Sequence, residues 1–315
     1  MSKEYKLVVV TPAGRKRYME VLLPYILREK DFIDEYRIWV NTKDPEDIKY
    51  FEELENKYPG FVTLDRSADN ERRKGNSEAI HRFFKNTIDV DTIYIRLDDD
   101  IIWLDNNFFK KIYKFRVENP EPFLIFGNII NNAICDHIHQ KEGIYEQTPL
   151  FGYDCLDENG WKNPQLAEMK HRTFLTNYAN NDIDKYKFNR WIANDYERIS
   201  INAICWFGKE LKKINGNVAI AEEEFLSKDY PRQISAPNCI YGDALCVHFS
   251  FYTQREHLDQ TDILELYQQL FDKKDNYLKT DEDNYFLDIE SITKKTQSPI
   301  IIIVNGTVKI INSNN

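Results

Sequence analysis

The feature that most constrains this chain is one local pattern repeated through its first hundred residues: a short apolar run, a break, then helical apolar spacing. Leu7-Val8-Val9-Val10 stops at Thr11-Pro12-Ala13-Gly14, and Tyr18, Val21, Leu22 and Tyr25 then recur at the 3.6-residue period of a helix over 15–27. Tyr36 to Val40 repeats the strand, Asn41-Thr42-Lys43-Asp44-Pro45 the break, and Ile48, Phe51, Leu54 and Tyr58 the helix. Phe61 to Leu64 and Thr92 to Leu97 predict third and fourth strands, with a helix from Ser77 between them. Parallel strands need crossover connections, so this alternation predicts an α/β fold: a mainly parallel, Rossmann-like sheet with helices on both faces. In such sheets ligands bind beyond the carboxyl ends of the strands, where the loops 11–17, 41–44, 66–76 and 98–100 emerge.

Further strands are expected at Phe123 to Phe126, Ile199 to Trp206 and Leu245 to Phe251, with short helices after Gly208 and from Ala221. Residues 131–198 are polar, aromatic and without a clear period, and read as an acceptor or lid insertion. The main domain is therefore expected to span 1–256, followed by a small extension over 257–315. That extension contains a helix over 262–271 and a β-hairpin, Ile300 to Val304 and Thr307 to Ile311, turning at Asn305-Gly306.

A net charge of −10 and a pI near 5.3 lack the basic face that displaces phosphate counterions, so no nucleic-acid partner is expected. The five cysteines form no CxxC pair, which suggests neither a disulfide framework nor a structural zinc site. The first apolar run is four residues long, and no transmembrane segment or cleaved signal is expected, which points to a cytoplasmic protein.

Chemistry concentrates at Asp98-Asp99-Asp100, between the apolar runs Tyr94 to Leu97 and Ile101 to Trp103. Acids placed at a strand end between buried flanks repel one another and are costly unless a cation neutralises them. A hard divalent ion, Mn²⁺ or Mg²⁺, suits such oxygen ligands, while exposed acids at a turn are the plain alternative.

In this position the run resembles the DxD motif of GT-A glycosyltransferases, which ends a central strand and holds a metal on a nucleotide diphosphate. The resemblance implies metal ligation by Asp98 and Asp100, with Asp98 and Asp99 near the nucleotide. Ala221-Glu222-Glu223-Glu224-Phe225-Leu226 resembles the acidic motif that carries the base of inverting members. Among Glu222, Glu223 and Glu224 it favours Glu223, the alternative being a helix N-terminus decorated with acids. Ala244-Leu245-Cys246-Val247-His248 matches the late histidine that completes the metal site, the alternative being a core histidine.

Thr11, Arg15, Asn41 and Asp44 stand where the family grips base and ribose. Arg72 and Lys74 precede the Ser77 helix, either reaching the diphosphate or lying on an ordinary basic loop. The resemblance thus implies transfer of a sugar from a nucleotide-sugar donor to a glycan or other hydroxyl acceptor. A sugar-phosphate nucleotidyltransferase, or an inactive carbohydrate- or nucleotide-binding protein of the same fold, are the competing readings.

Overall fold

The computed structural model describes residues 3–68, 76–145, 148–277, 300–304 and 307–311. Strands β1 (Lys6–Ala13), β2 (Glu35–Val40), β3 (Val62–Asp65) and β4 (Thr92–Leu97) form a parallel half-sheet in the order β3-β2-β1-β4. The connections are helices α1 (Lys16–Arg28), α2 (Pro45–Lys57) and α3 (Asn76–Phe83), as the alternating pattern requires. Pro45 opens α2 behind the N-cap Asp44, whose side chain accepts a hydrogen bond from the Glu46 amide at 2.9 Å.

Beyond β4 the sheet becomes mixed. It continues through β5 (Ile101–Leu104), β6 (Ile125–Ile130), β7 (Arg190–Ile192), β8 (Ala203–Phe207) and β9 (Cys239–His248). β8 runs antiparallel between β4 and β6, β9 pairs parallel with β6, and β5 and β7 both pair antiparallel with β9. The long β9 therefore brings His248 opposite Ile101, immediately after the acidic run. β1, β4, β5, β6 and β8 are buried almost throughout, which matches their near-continuous apolar sequence. This is the layered α/β architecture that the resemblance implied.

Helix α4 (Phe108–Glu118) joins β5 to β6, and the region 131–198 that comes after β6 is more regular than its sequence suggests. It contains helices α5 (Ala133–Lys141) and α6 (Pro164–Ala179). The reason α6 escapes the periodicity test lies in its buried face, which carries Lys170, His171 and Asn177 beside Ala167 and Phe174. Polar residues satisfied internally leave no apolar stripe to read. The helix Ile263–Tyr277 packs on α1, α6 and β5, with Ile263 and Tyr267 in the common core. The strands Ile300–Val304 and Thr307–Ile311 pair as the expected hairpin. Among the described residues no helix is long and apolar enough to cross a membrane.

Candidate functional site

A cleft of about 600 Å³ opens at the carboxyl ends of β1, β2 and β4. Its floor is the acidic run, placed there because β4 ends at Leu97 and the Asp98 amide turns to donate to the Asn202 carbonyl at 2.8 Å. The first wall is the loop after β1. A Cβ on Gly14 would lie 2.9 Å from the Asn41 carbonyl oxygen, so a glycine lets this loop approach the end of β2 while its amide donates to Asp99 Oδ2 at 2.9 Å.

Each acid has a cationic partner. Arg96 reaches Asp98 Oδ1 at 2.6 Å, and Asn202 donates to the other oxygen at 3.0 Å. Arg15 binds Asp99 through Nε and Nη2, and the same Nη2 lies 2.9 Å from Asp100 Oδ2. Arg255 stands 3.5 Å from Asp100 Oδ2, and His248 Nε2 stands 3.4 Å from Oδ1. The repulsion inferred from sequence is thus relieved by guanidinium groups, which a reading confined to the DDD run does not include.

These charges set the protonation states. Burial pushes the Asp99 carboxyl up against the opposing pull of Arg15. Burial acts on Asp100 in the same sense, but Arg15 and then His248 prevail and hold it well below the usual carboxylate range. Burial raises the Glu222 carboxyl, opposed by Arg96.

One oxygen each of Asp98 and Asp100 and one ring nitrogen of His248 all lie within 4.8 Å of one another, close enough to share a metal ion. Asn131 sets the imidazole: it adopts a left-handed backbone (φ 64°) that aims its carbonyl at His248 Nδ1, 3.1 Å away, and so turns Nε2 toward Asp100. A ligating histidine anchored through its other nitrogen is the usual arrangement, and two carboxylates with one imidazole form a mixed oxygen and nitrogen donor set for a divalent ion.

The short helix Glu222–Glu224 also borders the cleft, and its three acids differ in their surroundings. Glu223 accepts from Arg198 Nε at 2.9 Å and from the Cys155 thiol at 3.4 Å. Glu224 pairs with Lys228 at 3.1 Å and does not line the cleft. Glu222 lines it, beside Glu223 and Arg198.

The structure therefore gathers Arg15, Asn41, Asp98, Asp99, Asp100, Glu222, Glu223 and His248 around one space. It leaves three expected residues outside, Glu224, Thr11 and Asp44. Thr11 is fully buried beneath β1's end, and Asp44 is an exposed helix cap, so neither faces the cleft. Arg72 and Lys74 lie outside the described residues. Sequence reasoning missed Arg96, Arg198, Asn202 and Arg255. Arg96 carried a readable signal, a charge inside an otherwise apolar strand; the other three are separated from the motifs and meet them only in the fold.

No protein-family model matches the chain, and no curated protein matches it in sequence. Among solved structures it is similar to one described only as a mycobacterial protein, at 12% identity and TM-score 0.45, over 98% of this chain and 83% of that one. It is similar to a mannosyl-3-phosphoglycerate synthase from Rubrobacter xylanophilus at 9% identity and TM-score 0.34, over 98% and 86%. A third likeness is to a CMP:2-keto-3-deoxy-manno-octonic acid synthetase complexed with CTP, at 10% identity and TM-score 0.38, over 87% and 100%. These likenesses are distant, and the chemistry of this chain is read from the residues of its own cleft.

Proposed function

We propose that this chain is a glycosyltransferase that takes a nucleotide-sugar donor and a hydroxyl acceptor. The observation that carries the reading is the convergence of Asp98, Asp100 and His248 at one end of the sheet, with Glu222 and Glu223 lining the same cleft. A Mn²⁺ or Mg²⁺ ion held by the triad would supply a Lewis acid for the leaving diphosphate. Arg15 and Arg255 add fixed positive charge on the same side, where the negative charge develops. Asn41, 7% exposed and with its side-chain oxygen unpartnered among the described residues, lies beside Gly14 where the nucleoside would reach.

Glu222 is our choice of base. Its neighbour Glu223 is already engaged by Arg198, whereas burial raises the Glu222 carboxyl toward the range useful for accepting a proton. In the proposed step the acceptor hydroxyl gives its proton to Glu222 and its oxygen bonds to the anomeric carbon. The bond from that carbon to the diphosphate breaks, and the diphosphate leaves with the electron pair, so the anomeric centre inverts.

Thermal unfolding with UDP, GDP, CDP and dTDP, each with and without Mn²⁺, tests the reading. A ligand at 100 times its Kd adds about 2.7 kcal/mol of stability. A shift is expected with one nucleotide, only with metal, and absent in Asp100→Ala. If none of the four produces a metal-dependent shift, the reading fails.

A further inference from the structure

The cleft has an aromatic part besides the loops assigned above to the donor. Pro12, Gly14, Arg15 and Asn41 line it at the carboxyl ends of β1 and β2, while Trp161, Phe251 and Tyr252 line it together with His248 and Ser250. Tyr252 is 72% exposed although it stands beside this charged site. Its ring meets Trp161 edge-on, with centroids 5.2 Å apart and planes at 82°, so the two rings form a corner.

This corner is rigidly built. Trp161 sits in a π-helical turn, Glu158–Lys162, and Tyr252 begins the separate helix Tyr252–Leu258. The fully buried Gln254 joins them: its amide donates to the Trp161 carbonyl at 3.0 Å, while its oxygen accepts from Asn131 at 2.9 Å and from the Phe251 amide at 3.1 Å. Thr253 adds a second hydrogen bond to the Trp161 carbonyl at 2.8 Å. The buried Lys170 holds the preceding Gly160 carbonyl at 3.0 Å. Beside the rings, Ser250 lines the cleft, and among the described residues neither its buried hydroxyl nor Nε of Arg255 has a hydrogen-bond partner.

We propose that this corner binds a saccharide, one ring of which stacks on Tyr252 or Trp161 while its hydroxyls reach Ser250, Arg255 and Glu222. The proposal rests on reading the cleft as a site of glycosyl transfer and assigns its acceptor. A pyranose has an apolar C–H face and a hydroxyl rim, which fit a flat ring and interspersed hydrogen-bonding groups respectively. A lipid chain fits less well, because charged groups interrupt the apolar surface.

The test is a glycan array probed with the full-length protein, Tyr252→Ala, Tyr252→Phe and Trp161→Ala, with Mn²⁺ and UDP or GDP present and absent. We expect the wild type to retain at least one class of glycan. Tyr252→Ala should lose about tenfold in affinity and Tyr252→Phe little, because the ring and not its hydroxyl does the stacking. No retained glycan, or retention unchanged in both alanine variants, overturns the proposal. So does sedimentation with phosphatidylcholine vesicles that Tyr252→Ala abolishes, since the rim would then face a lipid surface. The donor reading is checked separately by the nucleotide shift on the wild type, so glycan retention without any such shift leaves the saccharide corner standing and removes the transferase.

Discussion

Nη2 of Arg15, from the loop after β1, lies 2.9 Å from Oδ2 of Asp100, at the end of β4, and also grips Asp99. One guanidinium thus holds together two buried carboxylates that would otherwise repel each other. Its hold is strong: burial disfavours its charge, yet Asp100 and Asp99 together keep the group even more firmly protonated than a free arginine. Arg15 is a resident counter-cation, and the divalent ion of the proposed mechanism would share that role.

Arg15→Met should therefore destabilise the metal-free protein by about 3–5 kcal/mol, the usual consequence of stranding a buried charge. Added Mn²⁺ should recover part of the loss, so the variant should show a larger metal-induced rise in Tm than the wild type. Equal metal-induced shifts would mean that Arg15 and the metal do not serve the same carboxylates.

Glu222→Gln and Glu223→Gln separate the two acids. The first should lower kcat by at least about 100-fold with donor affinity unchanged, the scale of a lost general base. The second should act through Arg198, whose guanidinium lies 2.8 Å from Glu223 Oε1, raising the acceptor KM more than it lowers kcat. The opposite split, in steady-state kinetics of both variants, would move the base to Glu223.

The sequence revealed the parallel half of the fold, in which short apolar strands alternate with amphipathic helices, since those two periods can be read directly. It also revealed the acidic run, the late histidine and the acidic helix start, because each is a local cluster. It did not reveal Arg198 beside Glu223 or Arg255 beside Asp100, which are brought together by chain reversals far from the motifs. Nor did it reveal α6, whose inward face is polar and becomes intelligible only with Asp136 and Tyr267 in place. Thr11 and Asp44 show the converse error. Thr11 belongs to β1 itself, paired with Ile38 and buried in the core, because the strand runs on to Ala13, and Asp44 is consumed by capping α2.

Lys170 and Asp136 are both fully buried, with Nζ 2.7 Å from Oδ2, and they tie α6 to the start of α5. Burial lowers the lysine and raises the aspartate carboxyl to about 6, each partner opposing the shift of the other. Lys170→Met should cost about 3–5 kcal/mol at pH 7 by leaving the carboxylate alone in the core. The double variant Lys170→Met, Asp136→Leu should be clearly more stable than the single one, because two well-packed apolar groups replace a desolvated pair. Urea denaturation of the three proteins decides this; a double variant no better than the single would show that the pair is needed for more than charge balance.

Two buried histidines should make the fold acid-sensitive well above the carboxylate range. Burial brings both His139 and His171 down to about 3. His171 has the contacts of a neutral ring: Nε2–H donates to the Phe249 carbonyl at 2.8 Å, and Nδ1 can accept from the Tyr267 hydroxyl at 3.3 Å. The unfolded chain protonates a free histidine near ~6.5, whereas the folded chain resists until about pH 3, so between those values the unfolded state binds the additional proton. Stability is then complete above the unfolded value and declines as pH falls through it, by about 1.4 kcal/mol per pH unit for each histidine. Comparing the wild type with His171→Gln cancels every other titrating group. The wild type should lose stability more steeply between pH 6 and 4 by about that amount per unit, and parallel curves would mean that the folded protein accepts a proton on His171 as easily as the unfolded one.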